Sequence, residues 1–432
     1  MSNDFAPLFK TRNGCAEQHA QSYLKGLLSQ VQGKNMERMA EVLPKAKQQD
    51  LQQFVSDSPW DERAVWDAVA ARVDAQLGGK EDSMLAGDES CFAKQGKKSV
   101  GVARQHNGRL GKTDNCQVGV FTALVQDGQA ALVGSRLFLP DEWISDPKRS
   151  LAAGVPKDEI RARSKIELFK ELIAQAIEQG LRFKLVGCDS FYGRDQGLLA
   201  HIAQLGRVFV ADIPRDTRLW TSRPKCETRP QSLAGSGAQR AEQIKPVQTR
   251  QIVVRDGENG PVRVKAGARR VWFWPPLGGE PMSCWLLVTE HADGTCKFTL
   301  INAPANTALE KLAGWQGQRF FIEQTFKNGK SHAGMADYQV RKWRGWQHHM
   351  ALVGMALLFM LEERRLQRRE WSQLSAADIT ELLHWQFTTR PSREAVIERI
   401  VQRHRRRAKA TASKRSADNQ RRPSMAKKNL TK

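Results

Sequence analysis

The sequence predicts a mixed α/β sheet clothed by helices, interrupted by a β-rich insertion and ended by a basic tail. Three observations lead there. Apolar residues recur at helical spacing up to about residue 80; from Met84 onward β-rich runs alternate with amphipathic helices; and helical patterning returns after residue 305.

Residues 1–80 read as a helical unit. Tyr23, Leu24, Leu27 and Leu28 share one face, and Ser58-Pro59 marks the start of a helix striped by Val65, Trp66, Val69 and Val73. Such a unit serves either as a DNA-end-binding or dimerising head or as a packing cap on the next domain. Residues 81–214 change texture: 84–88 is a short apolar run ending in Asp88, and the β-rich runs 117–125 and 130–139 meet at Asp127-Gly128, a hairpin turn. An amphipathic helix follows, with Ile166, Phe169, Leu172, Ile173, Ala176 and Ile177 on one face and Gly180 as its stop. Residues 183–189 form another strand ending in an acid, Asp189; a helix near 195–204 and a strand at 208–213 complete the mixed sheet.

Residues 215–305 form the insertion. Its first part, 215–250, is rich in Arg, Gln, Ser and Gly with little periodicity and predicts a loop or mobile arm; 271–274, 284–289 and 297–301 predict strands, the last pair turned by Asp293-Gly294. Residues 306–345 return to the sheet domain with a helix carrying Glu323, and 346–400 continue as helices. The tail, 401–432, holds twelve Lys or Arg against the single acid Asp418, which is half of the net charge of the chain. Almost devoid of apolar residues, it is expected to be disordered when free.

A chain of 432 residues that is 40% hydrophobic has material for two or three cored domains. Its net charge of +22 and pI near 9.9 point to nucleic acid as the partner. The seven cysteines are odd in number and form no C-x-x-C pair, which argues against a disulfide framework or a zinc module. The N-terminus lacks a signal pattern, and the longest apolar run, 350–361, is twelve residues, too short to span a membrane. A soluble, cytoplasmic protein is expected.

Chemistry concentrates in the stretch from Arg319 to Lys330. At about 100° per residue, Glu323 lies roughly 40° round the helix from Arg319 and Lys330 roughly 20°. A carboxylate between two cations is either a face for metal and phosphate or a solvated face laced with ion pairs. Asp88 and Asp189, each at a strand end, join Glu323 as the oxygen ligands a two-metal phosphoryl-transfer site needs. Other motifs fail: Gly111-Lys112-Thr113 has His106 where a phosphate loop needs Gly, Cys188 has no His partner, and the adjacent His348 and His349 diverge on a helix.

The order Asp, Asp, Glu, the phrases Leu85-Ala-Gly-Asp88-Glu and Gly187-Cys-Asp189-Ser-Phe-Tyr-Gly193, the runs from Gly101 to Gln105 and from Asn115 to Gly119, and the spacing of Arg319, Glu323 and Lys330 together resemble bacterial insertion-sequence transposases of the DDE superfamily. The branch resembled carries a Tyr, Arg, Glu, Lys signature, and the likeness runs from about residue 10 to 400. It implies an RNase H-like core in which Asp88, Asp189 and Glu323 hold two Mg²⁺ or Mn²⁺ ions. Arg319, Lys330 and Lys327 would contact DNA, as would Arg405, Arg406 and Arg407 of the tail. The signature Tyr is replaced here by Gln316, with Trp315 beside it as a substitute aromatic surface; Trp272, Trp274 and Trp285 of the insertion are further stacking candidates. The implied partner is double-stranded DNA, both terminal inverted repeats and target, cut and joined by a homodimeric synaptic complex at the nucleoid. A metal-dependent nuclease or resolvase without strand joining, and a non-enzymatic DNA-binding descendant, are the rival readings.

Overall fold

The computed structural model describes residues 4–11, 14–108, 111–257, 260–275, 280–366, 374–388 and 392–421. Four helices open the chain: α1 (Glu17–Leu28), α2 (Met36–Val42), α3 (Gln48–Ser56) and α4 (Glu62–Leu77). The stripe on α4 is buried as patterned, but its cap is Asp61, whose carboxylate accepts from the Arg63 N–H, not Ser58. Four strands follow: β1 (Met84–Ala93), β2 (Ala103–Asn107), β3 (Lys112–Gln126) and β4 (Gln129–Leu137). The last two turn at Asp127 and Gly128, both at positive φ (49° and 71°), as a two-residue hairpin on a right-twisted ribbon requires. Next come α5 (Lys165–Glu178), opened by a capping box at Ser164, then β5 (Leu185–Cys188), α6 (Ser190–Gly193), α7 (Gln196–Gln204) and β6 (Val208–Ile213).

The insertion supplies β7 (Val247–Gly257), β8 (Gly260–Phe273), β9 (Met282–Glu290) and β10 (Cys296–Ile301). These strands do not form a sheet of their own. β10 pairs antiparallel with β6, so one ten-stranded sheet runs β7-β8-β9-β10-β6-β5-β1-β3, with β2 and β4 both on β3. Within it β1, β3 and β4 are antiparallel, while β5 is parallel to β1 and β6 to β5. That is the RNase H-like order and direction expected from the Asp88 and Asp189 strands.

Residues 215–246, expected as a loop or mobile arm, run mostly as loop but are anchored at several points. Two-residue strands pair at Arg218–Leu219 and Gln239–Arg240, Trp220 bridges to Trp272 through its backbone, and Trp220, Ala238 and Trp274 make a small apolar cluster. The polar composition hid a cluster whose members, Trp220, Ala238 and Trp274, lie far apart in sequence.

The chain ends in helices α8 (Leu309–Gln318), α9 (Phe320–His332), α10 (Trp343–Leu366), α11 (Ala376–Phe387) and α12 (Arg393–Arg421). α10 is buried nearly all round, because α1, α3 and α4 pack on one side and β4 on the other. A Cβ at Gly354 would lie 2.6 Å from the Trp66 ring, so that glycine permits the α4–α10 contact. The N-terminal unit shares one apolar core with the sheet. Part of the tail departs from expectation: residues 401–421 continue a helix instead of lying disordered, since Arg, Lys, Gln and Ala carry little helix cost. Residues 422–432 of that expectation lie outside the described residues.

His348 and His349 are structural. His348 stacks on Trp60 at 3.7 Å, and His349 sits fully buried with Nδ1 2.9 Å from the Tyr23 hydroxyl. Burial, with Lys94 nearby, pushes the His349 pKa from 6.5 down to about 3. The unfolded ring takes up a proton below about 6.5 and the folded ring does not. Stability is therefore complete above that pH and should fall by roughly 4 kcal/mol as pH drops toward the folded pKa. His349→Gln should flatten the pH dependence of the melting temperature between pH 6.5 and 4; an unchanged slope would assign the acid lability elsewhere.

Candidate active site

Register brings the acids together. β1 and β5 run parallel with Gly87 opposite Cys188, and β5 and β6 run parallel with Cys188 opposite Ala211. The next residue on each strand is an acid, so Asp88, Asp189 and Asp212 fall on one rung where the parallel β1–β5–β6 pairing stops; β1 itself runs on to Ala93 along β3, so Asp88, expected at a strand end, lies mid-strand. Carboxyl ends of parallel strands are where an open α/β sheet leaves room for a ligand. All three line a cleft of about 640 Å³, with Arg319 and Glu323 contributed from the α8–α9 junction.

Each acid is held differently. Asp88 accepts the Glu89 N–H at 2.7 Å. Burial first, and Asp189 second, push its carboxyl up to about 8, with Glu323 adding to the repulsion and Arg319 opposing it. Asp189 caps the single turn α6, accepting from the N–H groups of Phe191 (3.0 Å) and Tyr192 (3.3 Å), yet burial still holds it above the usual carboxylate range. The turn is braced from behind: Tyr192 is fully buried, packs edge-on against Phe169 and points its hydroxyl at Glu89, which is paired with Lys165 at 2.7 Å. Two glycines allow this packing. A Cβ on Gly87 would enter the Phe169 ring at 2.0 Å, and one on Gly193 would meet the Asp212 carbonyl oxygen at 2.0 Å.

The expected helix over 319–330 is broken at its first residue. Arg319 links α8 to α9, is 7% exposed, and directs Nε to Asp212 (3.2 Å) and Nη1 to Glu323 (2.8 Å). Burial alone would lower its pKa; Asp212, Glu323, Asp88 and Asp189 overcome this and raise it. Arg319 therefore sits inside the acid cluster as a counter-ion, not beside it as an open phosphate clamp. Lys330 lies about 10.5 Å beyond Glu323 along the helix axis, with its ammonium 5.6 Å from the Phe92 ring.

Lys327 is exposed on α9, and Arg405 and Arg407 are exposed on α12, which also carries Arg406. Trp315, expected as a DNA-facing surface, is 6% exposed and gives its indole N–H to Asp82 at 2.7 Å; Gln316 is equally buried. An aromatic on the inner face of α8 fills space against the sheet and cannot stack on a base without being pulled out. Trp274 is likewise buried; Trp272 and Trp285 are partly exposed, facing Arg223 and Arg270.

Asp212 escaped the sequence reading although its signal was present, a charge inside the apolar strand Val208–Ile213 that needs a buried partner. Arg215 and Lys297 at the cleft were also missed.

The donor set suits a hard divalent cation. Carboxylates crowded until one resists ionisation gain most from a cation, and oxygen donors without thiolate or imidazole favour Mg²⁺ or Mn²⁺ over Zn²⁺. Among the described residues no three acidic, His or Cys side chains already converge as a cage, in keeping with Glu323 being drawn to Arg319.

A family model described as DDE superfamily endonuclease matches residues 4–269, a span that includes Asp88 and Asp189 and stops short of Glu323. A probable transposase for insertion sequence element IS701, from Microchaete diplosiphon, is 30% identical over 168 residues, 39% of this chain and 41% of that protein. The NurA nuclease from Sulfolobus solfataricus aligns with 72% of this chain and 94% of its own at 8% identity, but its TM-score of 0.25 is too low to inform the fold. With one family model covering more than half of its length, and with Asp88 and Asp189 inside the match, this chain belongs to the DDE superfamily of endonucleases.

Proposed function

We propose that this protein is a DNA transposase that cuts the ends of a transposable element and joins the freed 3′-OH to target DNA. The observation that carries this is the rung of Asp88 and Asp189 where the parallel pairing of β1 and β5 stops, with Glu323 brought to the same cleft by α9. Asp88, Asp189 and Glu323 would hold the metal. Two Mg²⁺ or Mn²⁺ ions bound there would activate the attacking oxygen and stabilise the leaving one in an in-line displacement.

The chain's own contribution is positioning. The capped turn α6 fixes one carboxylate oxygen of Asp189 by two N–H groups, and the short reach from β1 fixes Asp88, so neither has to be ordered when substrate arrives. Lys327 and Lys330 on α9, with Arg405, Arg406 and Arg407 on α12, would neutralise phosphates of the duplex. A homodimer would bring two element ends together. The similarity to a probable IS701 transposase supports joining as well as cutting.

The test is incubation of the protein and Mg²⁺ with DNA carrying the flanking ends of its own gene plus a target plasmid, followed by strand-resolved sizing. Nicked ends together with end–target joints are expected. Nicks or breaks without joints would make the protein a nuclease or resolvase, and no cleavage with firm binding would leave a DNA-binding protein.

A further inference from the structure

The third acid of the rung has no place in the proposed chemistry. Asp212 is 7% exposed; one carboxylate oxygen accepts the Thr299 hydroxyl at 2.7 Å and the other faces Arg319 Nε at 3.2 Å. Thr299 stands opposite Asp212 in the β10–β6 ladder, so the insertion itself orients this carboxylate. Arg319 in turn reaches Glu323. Its Nε and Nη1 are buried without an aligned hydrogen bond, so the guanidinium is held by charge and not by a locked fork.

We propose that Asp212 is a positioning residue that anchors Arg319 as an internal counter-ion, setting how strongly the acid cluster competes for a divalent cation. The proposal rests on the reading of Asp88, Asp189 and Glu323 as metal-holding residues. Two demands meet at Arg319. Crowded carboxylates in a low-dielectric cleft need a positive charge to fold around. A cation left free among them would keep hold of Glu323 and exclude a metal. Asp212 balances the two by tethering the guanidinium on the β6 side, which leaves Glu323 with one of its contacts and not all of them. Without that tether Arg319 would turn fully to Glu323, Asp88 and Asp189.

Mn²⁺ binding to the full chain, followed by calorimetry, and melting in chelator test this independently of DNA cleavage. Asp212→Asn keeps an oxygen for Thr299 and removes the charge facing Arg319. It should weaken Mn²⁺ binding about tenfold. Arg319→Gln should tighten it by a similar factor and lower the melting temperature in chelator, a loss that Mn²⁺ restores. The double variant should bind within about threefold of Arg319→Gln, because there is then no cation left for Asp212 to tether.

A double variant about tenfold weaker than Arg319→Gln would mean that Asp212 acts on the cation in its own right and would overturn the assignment, as would wild-type binding by Asp212→Asn. If that variant does not fold, Arg319→Gln decides alone: unchanged or weaker Mn²⁺ binding overturns the proposal. Failure of the underlying reading looks different. In that case wild type itself binds no Mn²⁺, or Asp88→Asn binds it as wild type does.

Discussion

Asp88→Asn, Asp189→Asn and Glu323→Gln should each lower metal-dependent strand cleavage at least about a hundredfold, roughly 2.7 kcal/mol in barrier, while DNA binding is largely kept. Each substitution removes an oxygen donor from the cleft and touches no exposed cation. Asp88→Asn should also be more stable than wild type in chelator at pH 8. Its folded pKa, about 8, stands above the ordinary value of 3.8, so the carboxyl costs stability progressively as pH rises between the two. An amide carries no such cost. A gain in melting temperature with loss of cleavage is the signature of a residue kept for chemistry at the expense of stability. Cleavage above a hundredth of wild type in any one variant would remove that residue from the site.

Gly193→Ala should be the most damaging change of a single methyl group. Its Cβ would stand 2.0 Å from the carbonyl oxygen of Asp212, a backbone atom that cannot swing aside. Either α6 lifts off β6 or the β6 backbone yields, and overpacking of this kind costs about 3 kcal/mol. Because α6 starts at Asp189, any lift re-aims that carboxylate, so cleavage should fall further than stability alone explains. Gly314→Ala is the control. It lies in α8 with nothing within 4 Å of the added carbon, so it should be neutral or stabilise by about 0.5–1 kcal/mol. Urea midpoints and cleavage rates of the two variants compare them directly; equal midpoints would mean that the α6–β6 contact has more slack than the structure shows.

Much of the architecture was legible because it is written in local periodicity. Strands at 84–88 and 208–213, the helix closed by Gly180, and the Asp127-Gly128 hairpin are stated by alternation, by 3.6-residue spacing and by turn chemistry, which depend on near neighbours. The loop at 215–246 was legible as a loop, but its anchoring was not, for the complementary reason. Its core is made by Trp220, Ala238 and Trp274, which no local window contains.

The candidate site divides the same way. The sequence by itself determined that two strand segments carry acids, Asp88 and Asp189, that a helix carries Glu323 between cations, and that the chain is strongly basic, since each is a matter of residue order or composition; that β1 runs on past Asp88 to Ala93 it did not show. Tertiary structure alone decided that Gly87, Cys188 and Ala211 share a rung, and so that Asp212 stands beside Asp189. It also decided that Arg319 turns inward to Asp212 and Glu323 while Trp315 is sealed against Asp82. The physical reason is that strand register and the burial of a charge are settled between segments up to hundreds of residues apart, where hydrogen bonds and counter-ions are exchanged, and no periodicity along the chain records which partner each segment will meet.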